Sequence, residues 1–516
     1  MGAAPAAQPN PAAQPNPATH SGHAEWWAKP PVYAAGLVLI VLLGAWLRLH
    51  DIGVLPLNFD EGATLYFAHL PLNDLWGVPA QLETNPPLFY TVERWAVLLF
   101  GDGPAALRLA PALAGILCIP LGAVIARRIA GAGAGLAAAL LIATSAALVA
   151  SSQDARAYAM FTLAALIAIG AELHLLDSYR RPDSANAGAW LAYVVASIAA
   201  LYLHNTAVLM VAALNLVAAA GWLTRLGAQR RFALHWLAAN AAIMAAYAFW
   251  LPVVAHQSVD DLAHFWIAAP TPAGLLYAMM NIYAQPYIRF GQPAPDLMFL
   301  AAGLAGAVLY RSNQALLALA VIAVLGVPVA SWLISQWRPI MNGKTLLWLA
   351  PVFLVLVALG CTHARRSALL LTALLAALQL AACRQHLAAR FDEGFPEVAS
   401  MLRDKALPGD IIILGTMDEE ILLTYYGWPR DRLGVFAASG PAWFRTFDGR
   451  PIQDANFAAA RRVWILTRSA HRLHDALAQR LGGGMTRSFN RMVGHGLLRN
   501  QPIQTLELSL FSADGG

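Results

Sequence analysis

Charge is scarce in this sequence. Of its 516 residues only 12% are Asp, Glu, Lys or Arg, while 59% are hydrophobic; a soluble domain is about 25% charged and about 45–50% apolar. The deficit excludes a simple soluble enzyme, because so much apolar surface needs a lipid phase to hide in. Lysine is rarer still, confined to Lys29, Lys344 and Lys405. The net charge of +5 comes largely from arginines scattered at the ends of apolar runs, not clustered on one polar face, which argues against a nucleic-acid partner. Cysteine is nearly absent: Cys118, Cys361 and Cys383 lie in or beside apolar runs without CxxC spacing, so neither a disulfide framework nor a metal site built on cysteine is expected. The N-terminus lacks a charged segment followed by a short apolar run, so no cleavable signal is expected and the first span stays as an anchor.

What the chain has instead is a series of long apolar runs. A Pro-rich repeat from Ala6 to Pro17 marks residues 1–29 as a disordered tail. The runs then fall near Val32–Leu49, Pro104–Ile125, Ala130–Val149, Tyr158–Leu176, Trp190–Leu203, Thr206–Leu223, Trp236–Val254, Asp296–Tyr310, Ala315–Ile334, Thr345–Gly360 and Leu369–Ala382. They make about eleven membrane crossings, with no charge at mid-span. Arg127/Arg128, Arg180/Arg181, Arg230/Arg231 and Arg365/Arg366 fall in alternate loops, which the positive-inside rule places in the cytoplasm with the N-terminus. An odd number of crossings then puts the C-terminus outside, as in a multi-pass protein of a bacterial inner membrane.

Residues 30–383 thus read as a helical membrane domain whose first outer loop spans about 50–103. Residues 384–516 turn more polar and read as a small extracytoplasmic α/β domain, with a helix over Phe395–Leu407 and strands over Ile411–Leu414, Val463–Leu466 and Thr505–Phe511. Gly482-Gly483-Gly484 reads as a turn, because no Lys-Ser/Thr follows it.

This topology gathers polar residues on the outer face. The first outer loop carries Asn58-Phe59-Asp60-Glu61-Gly62 and Asn85-Pro86-Pro87, followed by Arg108; a short loop holds Gln153-Asp154-Ala155-Arg156-Ala157-Tyr158. His204, His264, Arg338 and Lys344 lie on the same side. Charges at a membrane edge are costly unless they pair, line a wet cavity or do chemistry. Asp60 or Glu61 is suited to general-base work, and Arg156, Arg338 and Lys344 to holding a phosphate. Together they suit transfer of a group from a lipid phosphate.

The order Phe59-Asp60-Glu61, Asn85-Pro86-Pro87-Leu88-Phe89-Tyr90, Arg108-Leu109-Ala110-Pro111, Arg127-Arg128 and Gln153-Asp154-Ala155-Arg156-Ala157-Tyr158 resembles the GT-C glycosyltransferases of the protein-mannosyltransferase and aminoarabinose-transferase superfamily, called glycosyltransferase family 39 in bacteria. The resemblance is strongest from Val32 to about Leu176. It implies a GT-C fold and transfer of a sugar, with inversion, from a polyprenyl monophosphate to a lipid, glycan or protein acceptor outside the cytoplasm. It maps the base onto Asp60, with Glu61 positioning Asp60 or the acceptor, and the donor phosphate onto Lys344, Arg338 and Arg156. Asn85, Asp154, Tyr158, His204 and His264 are then substrate-binding candidates. Lys344 stands where such enzymes commonly have Arg, and Asn85 where they commonly have His. The prenyl tail would lie along Leu88, Phe89 and Trp348. No cofactor is required by this chemistry, although paired acids are compatible with a divalent cation.

Plainer readings stand beside these. Asp60 and Glu61 are also what a solvated loop end would carry, Arg108 reads as structural, and Asp154 as the ion-pair partner of an Arg156 that reaches to the interface. His204 suits an ordinary interfacial histidine, and Arg338 and Lys344 suit lipid headgroups. A second Asp-Glu-Gly, at 392–394, reads as a solvated linker. A transporter or lipid flippase, or a non-catalytic membrane scaffold, are the rival functions.

Overall fold

The computed structural model describes residues 29–77, 85–178, 186–223, 230–260, 269–283, 293–364, 367–388, 392–416, 419–439, 450–451, 460–468, 479, 485–494, 496–498, 501–503 and 506–513. The predicted tail, His264, Arg180/Arg181, Arg365/Arg366 and Gly482-Gly483-Gly484 lie outside the described residues.

Proline opens the first helix, α1 (Pro30–Leu49), where its missing N–H costs nothing. The segment expected as the first outer loop carries three helices among its described residues: α2 (Phe59–His69), α3 (Leu72–Leu75) and α4 (Leu88–Phe100), the last opening behind Pro86-Pro87. The expected second and third spans are one element, α5 (Pro104–Thr144), which turns at Ala130 and Gly131. Gly131 has φ +85°, a conformation that glycine adopts without a side-chain clash, and a Cβ there would meet nothing. Its role is therefore the turn. Gly135, by contrast, packs so closely that a Cβ would lie 2.9 Å from Arg127.

The chain continues through α6 (Ala146–Ser152), α7 (Tyr158–Ser178), α8 (Ala187–Leu203), α9 (Ala207–Gly221), α10 (Arg230–Ala248), α11 (Leu251–Asp260), α12 (Pro272–Tyr283) and α13 (Pro293–Leu309). Next come α14 (Gln314–Leu319), a π-helical stretch (Ala320–Gly326), α15 (Val327–Ile334), α16 (Leu349–His363) and α17 (Ala368–Ala388). Among the described residues five helices are long and apolar enough to cross a membrane: α1, α5, α7, the α14–α15 run and α17; α8, α9, α13 and α16 are shorter apolar helices. These nine apolar elements, with α10 over the expected Trp236–Val254 run, fall on the expected apolar segments, and five of them have the length and composition of a membrane helix. α16, however, starts four residues after the expected Thr345. Thr345 accepts from the Asn342 N–H and donates to the Asn342 carbonyl, and these bonds hold a turn instead of a helix.

Packing inside the bundle relies on small residues. A Cβ on Gly306 would lie 1.9 Å from the Leu356 carbonyl oxygen, and one on Gly360 would lie 2.1 Å from that of Ala302, so α13 and α16 touch backbone to backbone. Arg48 is wholly buried and donates to the carbonyls of Gly44, Ile142 and Ala143, which satisfies the end of α5. Glu172, well inside α7 and buried near the Ala218 backbone and Tyr193, corrects the expectation that no acid lies within a span.

The C-terminal domain begins with α18 (Phe395–Lys405) and includes α19 (Glu419–Tyr425). Its strands are β1 (Asp410–Thr416), β2 (Leu433–Ser439), β3 (Arg450–Pro451), β4 (Arg462–Arg468), β5 (Thr486–Val493), β6 (Gly496–Leu498), β7 (Gln501–Ile503) and β8 (Leu506–Ser512). Six of them form a sheet in the order β3-β2-β1-β4-β8-β5, parallel from β3 to β4 and antiparallel beyond, while β6 and β7 pair separately. The continuous run Ile411-Ile412-Ile413-Leu414 is what a strand covered on both faces requires. Alternation sends Ile412 and Leu414 to one core and Ile413 to another. The first core also takes in Leu57, just ahead of α2, and Leu65 and Ala68 of α2, so the domain is seated on the helical domain at α2.

Candidate active site

Asn58 builds the site's first element. Its side chain accepts from the Glu61 N–H at 3.0 Å, and Glu61 Oε2 accepts from the Asn58 N–H at 3.1 Å, a reciprocal cap that starts α2. Asp60, at the second position of this helix, is left half-exposed.

Glu61 faces the other way and is fully buried. Its two oxygens receive Arg108 Nε and Nη2, each at 2.6 Å, and Oε1 also receives the Ala155 N–H at 3.0 Å. Arg108 spends its remaining donors on the carbonyls of Ile52, Leu55 and Pro56. Of the two roles expected for Glu61, positioning Asp60 or positioning the acceptor, this geometry favours the first: every lone-pair direction of its carboxylate is used in holding α2, which carries Asp60. Arg108 is structural, as read from the sequence.

Asp60 meets the short loop before α7. Arg156 Nη1 donates to the Asp60 carbonyl at 3.3 Å, and Thr64 Oγ1 bonds the Ala155 carbonyl at 2.9 Å. Lys344 arrives from the turn ahead of α16, where its own N–H is held by Asn342 Oδ1 at 3.0 Å. Its ammonium lies 3.2 Å from Asp154 Oδ2, 4.0 Å from Asp60 Oδ2 and 5.7 Å from the Tyr158 ring centre. Asp154 raises the Lys344 pKa, which keeps the ammonium charged. The sequence reading made Asp154 the partner of Arg156; the structure gives it to Lys344. Asp154 Oδ1 is buried with no hydrogen-bond partner among the described residues, an acceptor left unspent beside the oxygen that holds Lys344.

His204 closes the cluster just beyond the end of α8. It stacks on Phe161 with ring centres 5.8 Å apart and lies 5.7 Å from Tyr158. Its Nδ1 accepts from the Thr206 N–H at 3.1 Å, so a neutral ring carries its proton on Nε2. Burial, helped by the charge of Arg156, pushes the His204 pKa down to about 4, so the ring is neutral at physiological pH.

Asp60, Asp154, Arg156, Tyr158, His204 and Lys344, from four separate segments, thus meet at one end of the bundle. Arg338 is half-buried on the turn after α15, and its guanidinium joins none of them by an ion pair or hydrogen bond among the described residues. Asn85 stands ahead of α4, two residues before Pro87. Phe89 and Trp348 are buried in the helical core, so they do not line an open lipid groove as expected. Among the described residues no group of three or more His, Cys, Asp or Glu is placed to hold a metal.

Glu393 is the residue that sequence reasoning missed. Instead of belonging to a solvated linker, it accepts the Phe59 N–H at 2.8 Å, one residue from Asp60. The neighbouring Gly394 caps α18 at φ +86°. Only the docking of the C-terminal domain brings Glu393 there, and no local pattern announces it.

No protein-family profile and no curated protein matches the chain. Solved structures do. ArnT from Cupriavidus metallidurans in its apo state aligns with a TM-score of 0.59 at 12% identity, covering 92% of this chain and 97% of that one. The same protein bound to undecaprenyl phosphate aligns with a TM-score of 0.55 at 13% identity, covering 93% and 97%. The archaeal oligosaccharyltransferase AglB from Archaeoglobus fulgidus, in complex with an inhibitory peptide and a dolichol-phosphate, aligns with a TM-score of 0.54 at 13% identity, covering 90% of this chain and 73% of that one. The chain therefore has the fold of the GT-C membrane glycosyltransferases, a helical membrane domain joined to a small C-terminal sheet domain.

Proposed function

We propose that this protein is a membrane glycosyltransferase that moves a sugar from a polyprenyl monophosphate to a hydroxyl or amine of a lipid, glycan or protein acceptor, on the outer face of a bacterial inner membrane. The observation that carries the reading is the placement of Lys344 Nζ 4.0 Å from Asp60 and 3.2 Å from Asp154 in a GT-C fold. A base and a cation stand side by side at the end of the bundle, where a lipid phosphate and a water-borne acceptor meet. The presence of a polyprenyl phosphate in the ArnT and AglB structures supports the donor class.

Asp60 takes the proton from the acceptor as its oxygen or nitrogen bonds to the anomeric carbon. The bond from that carbon to the phosphate oxygen breaks, and polyprenyl phosphate leaves with the charge that develops on it. Lys344 leaves the acids to meet that phosphate, with Arg156 beside it, and stabilises the transition state more than the ground state. His204 supplies a neutral N–H donor rather than a second cation. Attack from the side opposite the leaving phosphate inverts the anomeric centre.

The test is turnover of purified protein in lipid with a panel of radiolabelled polyprenyl-phosphate sugars and a membrane extract as the acceptor source, wild type beside Asp60→Asn. Sugar release from one donor, lost in the folded variant, supports the reading. Survival of every donor with the wild type overturns it.

A further inference from the structure

We infer that the C-terminal domain is a working part of the active site: it fixes the segment that carries Asp60, and Glu393 is the positioning residue through which it does so. The inference rests on the reading of Asp60 as the base.

A helix leaves its first N–H groups without partners. Asn58 satisfies only that of Glu61 in α2. The N–H of Phe59 is taken by Glu393 Oε2 at 2.8 Å, across 334 residues of chain. A carboxylate at a helix N-terminus also complements the helix dipole. With this N–H satisfied from outside, the Asp60 side chain is not called on to cap its own helix and extends toward Lys344 instead.

Three further contacts from the same domain fall on the same few residues. The Leu57 N–H donates to the Tyr426 hydroxyl at 2.8 Å. The Arg468 guanidinium lies 4.0 Å over the Phe59 ring. Leu422 packs against Gly62 so closely that a Cβ there would meet its Cγ and Cδ2 at 2.8 Å. Residues 57–62 are therefore gripped from the domain side at 57, 59 and 62, with Asp60 inside the grip. On the bundle side they are held through Glu61 and Arg108. A domain that merely covered the site would have no need of two hydrogen bonds to the backbone just ahead of the base, at 57 and 59, and a close packing contact just after it, at 62.

The experiment uses the full-length protein in lipid nanodiscs. It follows amide hydrogen exchange across residues 57–62, undecaprenyl phosphate binding, and kcat and donor KM with the polyprenyl-phosphate sugar panel. Glu393→Ala is expected to speed exchange across 57–62 by about fivefold, the consequence of a lost helix cap. It is expected to lower kcat by about tenfold or more through misplacement of the base, with undecaprenyl phosphate binding and donor KM unchanged. Glu393→Gln keeps an acceptor oxygen for the Phe59 N–H and recovers most of the rate. Tyr426→Phe, which keeps the packing, shifts exchange in the same direction. Wild-type exchange across 57–62 in Glu393→Ala overturns the inference, as does an unchanged kcat. Should Glu393→Ala loosen the segment while the wild type transfers no sugar from any donor, the grip stands and the assignment of Asp60 as base fails.

Discussion

The Glu61 carboxylate receives Arg108 Nε on one oxygen and Nη2 on the other, both at 2.6 Å, and Arg108 sends its other N–H groups to three carbonyls of the preceding loop. The pair pins residues 52–61 to the start of α5, which lets the neighbouring Asp60 stay half-exposed yet fixed in place. Removing one member of a buried pair leaves the other charge uncompensated, at a cost of about 3–5 kcal/mol. Arg108→Met is expected to lower the thermal stability of the purified protein by that order. Arg108→Lys should recover little, because an ammonium cannot fill five fixed donor positions. A melting curve equal to wild type for Arg108→Met would contradict this role.

Lys344 is expected to matter to the leaving phosphate rather than to folding, since its side chain is half-exposed. Lys344→Met should lower kcat by about 10²–10³, the scale of losing one preorganised charge at a transition state, and weaken binding of undecaprenyl phosphate. Lys344→Arg keeps the charge and should retain much of the binding. Calorimetric titration with undecaprenyl phosphate checks the binding, and equal affinity in Lys344→Met would remove it from the clamp.

His204 gives the protein a pH dependence of known sign. Its folded pKa of about 4 lies below the value of about 6.5 for a free histidine, so between these the unfolded chain binds more protons. Stability is therefore full above pH 6.5 and falls as the pH drops toward 4, by a total of about 3 kcal/mol from this group. Melting temperatures measured across this window should fall more steeply for wild type than for His204→Gln. Parallel slopes would show that the ring titrates normally.

Gly306 tests the packing of the bundle. Ala at this position would place a Cβ 1.9 Å from the backbone oxygen of Leu356, so α13 and α16 would have to separate, at about 1–3 kcal/mol. Gly188→Ala, with nothing within 4 Å of the new Cβ, is the matched control and should melt like wild type. Equal melting of the two variants would contradict the contact.

Much of this architecture is written in the apolar runs. The ends of α1, α7 and α8 fall within a few residues of their expected positions, because burial in lipid demands uninterrupted apolar sequence. The start of α16 was misread because Thr345 and Asn342 settle it through side-chain hydrogen bonds that hydropathy does not register. The strand β5 escaped notice because it is an exposed edge carrying Arg487, Asn490 and Arg491 without apolar alternation. In the site, the alternation of the expected spans was enough to put Asp60, Asp154, Arg156, Tyr158, His204 and Lys344 on one side, and the structure brings them together. Pairing was not legible: Asp154 belongs to Lys344 and Glu61 to Arg108, since partner choice depends on helix rotation. Glu393 was the least legible, because its role arises only when the C-terminal domain docks on α2.

The central claim, that Asp60 is the base of a sugar transfer from a lipid phosphate, is tested most directly by the donor-panel assay on Asp60→Asn in nanodiscs, read together with undecaprenyl phosphate binding to the same sample. The account predicts that wild type consumes one donor, that the variant loses at least about 10²-fold in kcat, the scale of a positioned general base, and that phosphate binding and melting temperature are retained. A folded Asp60→Asn protein that transfers sugar at the wild-type rate would contradict it.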